Sequence, residues 1–266
     1  MKPAHRALQD FIEPLLRAAS AEHVLPHWAQ VARATKPDGS LVTAADTAMQ
    51  AHIERALLAQ FPADGFLGEE MLEPEQQRML ARGRFWCLDP VDGTSNFASG
   101  LPFFSVSLAL IDGGRAVAGF VYDPLRQECF SAFLHDGAYL NGQPLTAPPQ
   151  ARPLRQCVAV VDFKRIYGSL TARLALDPPY GSQRNLGSCA LEWCWLAAGR
   201  FQLYLHGGQK LWDYAAGHLV LAESGGHATT IEGESVFTQR LVPRSVVAAL
   251  DPELFAGWRA WLDLRR

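Results

Sequence analysis

Residues 89–97 read Asp-Pro-Val-Asp-Gly-Thr-Ser-Asn-Phe and directly follow an apolar run at residues 85–88 that is typical of a buried strand. Two carboxylates stand three positions apart, with Pro90 between them and Gly93 after them. Proline fixes φ, so the chain can turn sharply and direct its carbonyl groups inward. Such oxygen groups suit Mg²⁺, which proteins commonly hold with one or two carboxylates and a substrate phosphate. The alternative interpretation is an ordinary Asp/Gly turn after a strand.

The composition is that of an ordinary globular protein. The chain has 266 residues, enough for one large domain or two smaller ones that share an interface. Hydrophobic residues make up 48% and charged residues 19%. The formal net charge of −3 gives no electrostatic footprint for nucleic acid, although it does not exclude a local basic patch. We therefore do not expect nucleic acid or the transcription machinery as a partner.

The five cysteines show neither a CxxC pair nor a zinc-ligand spacing with histidine. Cys87 and Cys157 stand in apolar strand-like runs, as buried thiols do in a reducing compartment. The N-terminal residues show no signal-peptide core, and no apolar run approaches the roughly 20 residues that span a bilayer. We therefore expect a cytoplasmic protein without a membrane segment.

Hydrophobic periodicity predicts a layered α/β or α+β protein with two mixed sheets. Helices are expected in the N-terminal segment and over residues 46–60, followed by strands from residue 85 to 141 with a hairpin around Asp112. Strands and helices then alternate, with one helix beginning at Tyr214, and the last helix is expected over residues 254–264.

A Pro-rich stretch at residues 144–153 is predicted to connect two halves of one unit that comprises residues 1–266. The N-terminal α+β half, residues 1–143, contains most of the candidate metal-binding acids. The C-terminal half, residues 154–266, is expected to be α/β.

Three further acids stand at the ends of predicted elements. Glu69 follows a short apolar stretch, while Asp46 and Asp213 stand where helices begin. Each has a plain explanation, because Glu69 suits a solvated turn, Asp213 suits a helix N-cap, and Asp46 suits a cap or a first-turn acid. Acids from four separate segments are nevertheless the arrangement expected of a site where sheets and helices meet.

These segments together resemble the inositol monophosphatase family of Mg²⁺-dependent, lithium-sensitive phosphatases. Residues 89–97 resemble its first signature and residues 212–226 its second, while residues 41–46 and 68–70 resemble two further blocks in family order. The resemblance implies a five-layered αβαβα sandwich of the inositol monophosphatase and fructose-1,6-bisphosphatase type. It also implies a homodimeric enzyme that hydrolyses a small-molecule phosphate monoester without a covalent intermediate.

The resemblance further implies a site for two or three Mg²⁺ ions. Glu69, Asp89 and the Val91 carbonyl would hold the first ion. Asp89, Asp92 and Asp213 would hold the second, and Glu69 would help to hold a weaker third ion through water.

Catalytic roles are implied for Asp46, Thr94 and Glu69, with Thr94 hydrogen-bonded to Asp46 and orienting the attacking water. The implied substrate-binding residues are Asp92, Gly93, Thr94, Gly187, Ser188, Cys189, His206 and Asp213. Ser188 is also a plausible cap of the following helix. Lys36 aligns only loosely with a family lysine.

The chain departs from the inositol-specific members at His206, where they have a glutamate that binds inositol hydroxyls. Imidazole in place of a carboxylate puts strict myo-inositol 1-phosphate specificity in doubt and suits a substrate with a second anionic group, unless His206 faces solvent at a strand end. The alternative substrates are fructose 1,6-bisphosphate, histidinol phosphate, NADP and 3′-phosphoadenosine 5′-phosphate, for whose adenine Tyr180 and Arg184 are candidates. A regulatory protein of transcription-antitermination complexes is the alternative of another class.

Overall fold

Two mixed β-sheets form the framework of the structure, a computed structural model that describes residues 1–30, 34–35, 41–148 and 150–262. The helices in these ranges are α1 (Pro3–His23), α2 (Ala44–Gln60), α3 (Glu73–Leu80), α4 (Thr94–Ser99), α5 (Ser169–Leu176), α6 (Cys189–Ala197), α7 (Leu211–Glu223) and α8 (Pro252–Leu262). The strands are β1 (Ala34–Thr35), β2 (Leu41–Val42), β3 (Gly65–Gly68), β4 (Arg84–Asp92), β5 (Ser105–Asp112), β6 (Arg115–Asp123), β7 (Glu128–Phe133), β8 (Gly137–Leu140), β9 (Gln143–Pro144), β10 (Val158–Asp162), β11 (Ser182–Arg184), β12 (Leu203–Gln209), β13 (His227–Thr229) and β14 (Arg244–Ala249). Lys36 lies outside the described residues.

The larger sheet has the strand order β3-β4-β5-β6-β7-β8-β9. β3 runs parallel to β4, and the other neighbours are antiparallel. β5 and β6 form the predicted hairpin, in which Gly113 and Gly114 both have positive φ. Positive φ at both central residues gives a turn whose twist matches that of the flanking strands, and glycine adopts it without strain.

Helices cover both faces of this sheet. Trp86 and Leu88 on β4 face the core formed with α1 and α2, whereas Phe85 and Cys87 face the core formed with α6 and α7. The alternation follows from the two-residue period of a strand, and burial on both faces explains the nearly continuous apolar run.

The smaller sheet has the order β11-β10-β12-β14-β13, with β10 parallel to both of its neighbours. Leu203 and Leu205 pack against α5 and α8, while Tyr204 packs on the opposite face against α6. The helix pair α6 and α7 therefore lies between the two sheets. The resulting order of helices, sheet, helices, sheet and helices confirms the expected αβαβα sandwich.

Several element boundaries differ from the predicted ones. α7 begins at Leu211 rather than at Tyr214, and β12 extends beyond His206. α3 was not predicted because Gln76 is its only buried residue, so it lacks an apolar stripe. The division into halves at residues 144–153 stays a prediction. Within the described ranges, no helix combines the length and the apolar character needed to cross a membrane.

The layers approach closely where α7 crosses β6. A Cβ atom at Gly119 would lie 2.9 Å from the Cα and carbonyl oxygen of Ala216, and one at Gly217 would lie 2.5 Å from the Cβ of Trp193. Because the obstacle at Gly119 is helix backbone, an added methyl group forces α7 away from the sheet.

We expect Gly119→Ala to lower the free energy of unfolding by about 1–3 kcal/mol, because the overpacked layers must separate. Urea unfolding followed by circular dichroism measures this loss. Gly83→Ala is the matched control, since nothing lies within 4 Å of its added Cβ atom. Equal stability of the two variants would contradict the close approach.

Candidate active site

A bulge at the end of β4 places Asp89 and Asp92 together. Asp89 pairs with Ser107 of β5 and Asp92 with Ser105, so three steps along β4 match two steps along β5. In a regular strand, residues three apart point to opposite faces. The extra residue of a bulge re-aims the chain, so both buried carboxylates can contribute to one site.

Two helix N-termini contribute Asp46 and Asp213, each at the third helical position. Asp46 Oδ2 accepts a hydrogen bond from the backbone N–H of Thr43 at 2.8 Å, and Asp213 Oδ2 accepts one from Lys210 N at 2.8 Å. The alternative interpretation of Asp213 as an N-cap is therefore wrong: the N-cap is Lys210, because α7 begins earlier than predicted. Asp46 is likewise a first-turn acid rather than a cap, since the N-cap of α2 is Thr43. These bonds from the cap backbone fix both acids to the first turn of their helices.

Burial and mutual repulsion raise the pKa values of the clustered acids. Burial, reinforced by the charges of Glu69, Asp92 and Asp213, raises the pKa of Asp89 well above its ordinary value. Burial is also the main reason why the pKa of Asp213 rises to about 8 and those of Asp46 and Asp92 to about 6. Buried carboxylates that repel one another are most readily ionised beside cations.

The acids interact at longer range than the ligands of one closed metal site. Among the described residues, only Glu22, His23 and His52 bring three potential ligand atoms within 4.8 Å of one another. The predicted donors, four carboxylates and the Val91 carbonyl, are nevertheless all oxygen atoms, which is the set that Mg²⁺ prefers. The donor chemistry of the acids therefore fits Mg²⁺.

The carboxylate of Asp92 also accepts hydrogen bonds from the N-terminus of α6. Its Oδ2 accepts from Ser188 Oγ at 2.5 Å and from Ala190 N at 2.8 Å, and its Oδ1 accepts from Cys189 N at 3.1 Å. Ser105 Oγ is a fourth donor, at 3.3 Å from Oδ2. Asp92 thus brings two of the predicted substrate-binding residues, Ser188 and Cys189, beside the acid cluster.

Thr94 lies between Val91 and Asp46. Its Oγ1 donates to the Val91 carbonyl at 3.0 Å and lies 3.5 Å from Asp46 Oδ1, so the closer partner is the carbonyl. Gly93 precedes Thr94 with φ of 92°, and a Cβ there would lie 2.9 Å from the carbonyl oxygen of Gly187. Glycine at residue 93 therefore lets the two predicted substrate loops touch.

Sequence reasoning missed Glu192, which orders the loop before α6. This buried carboxylate accepts from Gly187 N at 2.9 Å, Leu186 N at 3.2 Å and Tyr204 Oη at 2.8 Å, and burial raises its pKa to about 8. A lone acid in the otherwise apolar sequence of α6 was the available signal. Asn96 supports the same loop by donating to the Leu186 carbonyl at 2.6 Å.

His206 is only 3% exposed, so the interpretation of this residue as solvent-facing is wrong. Its Nδ1 accepts from Gly208 N at 3.1 Å, which assigns the proton of the neutral ring to Nε2. Nε2 lies 3.0 Å from Asp162 Oδ2 and 3.5 Å from Cys189 Sγ. Burial lowers the pKa of His206, so a neutral imidazole donates to Asp162.

Asp162 is the second residue that the sequence did not reveal. Burial opposes its ionisation, but the hydrogen bond from His206, and the charge that this ring carries at low pH, bring the pKa of Asp162 down to about 2. The backbone N–H of Lys164 also donates to it, at 2.9 Å. Exposed Arg165 follows in the chain, and its charge acts to lower the pKa of Asp213.

The two candidates for an adenine site occupy different environments. Tyr180 is buried against Trp258, with ring centroids 6.1 Å apart, whereas Arg184 is exposed and donates to Ser182 Oγ at 2.9 Å. Tyr180 contributes to a cavity of about 460 Å³, which is also lined by Phe163, Leu174, Ala175, Pro178, Gly181, Ser182 and Gln183.

Comparison with known proteins gives a consistent result. The model of the inositol monophosphatase family matches residues 6–260. Inositol monophosphatase 1 of Solanum lycopersicum is 36% identical over 222 residues, covering 80% of this chain and 79% of that protein. The Nus factor SuhB of Pasteurella multocida is 35% identical over 205 residues, covering 74% of each chain. The fructose-1,6-bisphosphatase/inositol-1-monophosphatase of Thermotoga maritima is 31% identical over 257 residues, covering 91% of this chain and 95% of that protein.

Solved structures share the fold along nearly the whole chain. The extragenic suppressor protein suhB of Bartonella henselae has a TM-score of 0.84 at 27% identity, covering 98% of this chain and all of that chain. The Thermotoga maritima IMPase has a TM-score of 0.80 at 27% identity, covering 97% and 100%. SaIMPase-II bound to inositol monophosphate has a TM-score of 0.77 at 26% identity, covering 96% and 92%. The chain therefore belongs to the inositol monophosphatase family and is a phosphatase.

Proposed function

We propose that this chain catalyses the Mg²⁺-dependent hydrolysis of a small-molecule phosphate monoester at the cluster of Glu69, Asp89, Asp92 and Asp213. The observation that carries the proposal is the electrostatic coupling of these acids, which come from three segments far apart in the sequence. Keeping like charges together in a buried site is costly unless cations neutralise them. The all-oxygen donor set favours Mg²⁺ over softer metals.

The residues assigned to the ions are those implied by the family resemblance. Glu69, Asp89 and the Val91 carbonyl would hold one ion, and Asp89, Asp92 and Asp213 a second, with a third near Glu69. When bound, the ions supply charge neutralisation at the phosphate and a lower pKa for water at the site. The Val91 carbonyl already accepts from Thr94 but has a second lone pair.

The side chains of Thr94 and Asp46 orient the attacking water. The Thr94 hydroxyl has one proton, so when it turns from the Val91 carbonyl to Asp46 Oδ1, 3.5 Å away, Oγ1 can accept a hydrogen bond from that water. A carboxylate whose pKa is about 6 can accept a proton near neutral pH. Burial also raises the pKa of the Cys189 thiol well above its ordinary value, so a thiolate nucleophile is disfavoured and direct attack by water is favoured.

The backbone N–H groups of Gly93 and Thr94, at the start of α4, donate hydrogen bonds to the phosphate oxygens of the substrate. The alcohol part of the substrate lies beside residues 187–189, which Asp92 and Glu192 position through hydrogen bonds.

Asp162 changes the expectation for the alcohol. The imidazole of His206 donates to this carboxylate, so a second anionic group of a substrate would meet a negative charge rather than a free imidazole. Hydroxyl groups, by contrast, can donate to Asp162. We therefore favour an uncharged polyol as the alcohol, in keeping with the inositol monophosphate bound by SaIMPase-II.

A panel of phosphate monoesters tests this proposal through the release of inorganic phosphate, with and without Mg²⁺ and Li⁺. Inositol 1-phosphate and glycerol 2-phosphate represent uncharged alcohols. Fructose 1,6-bisphosphate, histidinol phosphate, NADP and 3′-phosphoadenosine 5′-phosphate represent the alternatives. We expect the uncharged polyol esters to be hydrolysed fastest and Li⁺ to inhibit. Activity that does not depend on Mg²⁺ would contradict the proposal.

A partner role in transcription is a second candidate, because several relatives are named Nus factor SuhB. Such a role does not require turnover, so it can be separated from hydrolysis. The two roles are distinguished by expressing either the unaltered chain or Asp92→Asn in a bacterial strain that lacks its own SuhB. Rescue of the strain by both chains supports the partner role, and rescue by the unaltered chain alone supports hydrolysis. Dimer formation is also a proposal, which light scattering of the purified protein tests.

Asp92→Asn should lower kcat/KM by about a hundredfold or more, because the amide is a weaker metal ligand and one of its atoms is a hydrogen-bond donor. Phosphate release at saturating Mg²⁺ measures the effect, and circular dichroism checks the fold. Asp112→Asn is the matched control, since Asp112 pairs with Arg84 at the other end of the β4–β5 ladder. Turnover of Asp92→Asn close to that of the control would remove Asp92 from the site.

Stability without metal should fall as the pH rises. The ordinary pKa of an aspartate is 3.8, and the folded values are about 6 for Asp46 and Asp92 and about 8 for Asp213. Raised values contribute stability below about pH 4, which is lost as the pH passes through the folded values. Thermal unfolding in a chelator should therefore give a lower Tm at about pH 8 than at about pH 5.

Mg²⁺ should raise Tm more at the higher pH, because the ions favour ionised carboxylates. Asp213→Asn should show a smaller fall in Tm between the two pH values than the unaltered chain. A Tm without pH dependence in the chelator, or an equal effect of Mg²⁺ at both pH values, would contradict the electrostatic argument.

A further inference from the structure

A group of two imidazoles and a carboxylate lies where α1 contacts α2. His23 Nε2 is 2.8 Å from His52 Nδ1, and the planes of the two rings meet at 68°. Glu22 Oε1 lies 3.6 Å from His23 Nε2, and Glu22 Oε2 lies 3.8 Å from His52 Nδ1. The group takes no part in the proposed hydrolysis.

The potential ligand atoms lie close enough together for side-chain rotation to bring them onto one tetrahedral Zn²⁺ ion. With Zn–N and Zn–O bonds of about 2.0–2.2 Å, two ligand atoms on the ion lie about 3.3–3.5 Å apart. The two nitrogens are closer than this, at 2.8 Å, while each nitrogen faces a different oxygen of Glu22, at 3.6 and 3.8 Å. One ligand atom from each of the three residues lies within 4.8 Å of the other two. Small side-chain rotations that move the ligand atoms by a few tenths of an ångström would bring the separations between them into this range. A fourth coordination position of the ion would stay open to water.

The helices hold the two histidines in place. α1 and α2 pack through a shared core in which Leu16, Ala19, Met49 and Ile53 are fully buried. The side chains of His23 and His52 are 20% and 27% exposed, so an ion can reach them from solvent. His23 is also the last residue of α1, where the helix dipole favours a positive charge.

The donor set differs from that of the acid cluster. Two imidazole nitrogens and one carboxylate oxygen favour Zn²⁺ or Cu²⁺ over Mg²⁺, which prefers oxygen ligands. One proton now occupies the short contact between the rings. In neutral imidazoles a tautomeric shift moves it to the outer nitrogen of its ring, so both facing nitrogens can bind the same ion.

We propose that Glu22, His23 and His52 form a zinc-binding site that joins the C-terminal end of α1 to the middle of α2. An ion there stabilises the folded chain, because the unfolded chain does not hold the three ligands together. The site is independent of the proposed phosphatase chemistry, so either assignment can fail without the other.

Calorimetric titration of the metal-free protein with Zn²⁺, in excess Mg²⁺, tests the proposal. We expect one equivalent to bind to the unaltered chain, and at least about tenfold weaker binding in His23→Gln and His52→Gln. His227→Gln is the matched control, because this exposed histidine lies on β13 and stacks on Phe255. Asp92→Asn should still bind one equivalent of Zn²⁺, which shows that this Zn²⁺ is not bound at the acid cluster.

Two further readouts make the outcome decisive. Cu²⁺ in place of Zn²⁺ should give an electron paramagnetic resonance spectrum with nitrogen couplings, which the oxygen donors of the acid cluster cannot produce. Zn²⁺ should also raise Tm in the unaltered chain and in the control, but not in His52→Gln. Glu22→Gln, at an exposed residue, tests the third ligand without disturbing the helix contact. Equal zinc affinity in all variants, or no binding in excess Mg²⁺, would reduce the group to a hydrogen-bonded histidine pair.

Discussion

The carboxylate of Asp92 connects the layers on which the site depends. It stands at the end of a strand in the larger sheet and accepts hydrogen bonds from Ser188, Cys189 and Ala190 at the start of a helix that lies between the two sheets. The helix dipole and these donors favour its ionised form, whereas burial and Glu69 oppose ionisation. The same group therefore positions the start of this helix and belongs to the acid cluster. A change in the position of this side chain would therefore disturb both the start of the helix and the acid cluster.

The acid cluster opposes the stability of the fold that contains it. Asp89 is only 3% exposed, and beyond the effect of burial four other acids raise its pKa further. Ionisation of such a buried carboxylate is unfavourable unless a positive charge lies nearby. The site therefore combines a stable scaffold with local electrostatic repulsion. Glu192, also buried, is partly relieved by three hydrogen-bond donors. Its hydrogen bonds suit Glu192 to ordering a loop, whereas the repulsion from neighbouring acids suits Asp89 to binding a cation.

Much of the fold and the main acids could be predicted from the sequence, because strand periodicity and the spacing of Asp89 and Asp92 are local patterns. The bulge between these two residues was not predictable, since it depends on how β4 pairs with β5. Glu192 and Asp162 were missed for a similar reason: each gains its meaning from partners that are close in space but distant along the chain. The burial of His206 likewise depends on neighbours that periodicity does not specify. The αβαβα fold is confirmed, while the roles of the site residues stay proposals.

The two helix-borne acids, Asp46 and Asp213, are each fixed by a bond from the backbone N–H three residues earlier. A backbone donor is supplied by any residue except proline, so the identity of Thr43 or Lys210 matters less to this bond than the number of residues that follow. One inserted or deleted residue in either first turn would rotate the acid by about 100° around its helix. The positions of both acids therefore depend on the number of residues between the cap and the acid, and at Asp46 the hydroxyl of Thr43 adds a second hydrogen bond that depends on the type of residue at the cap.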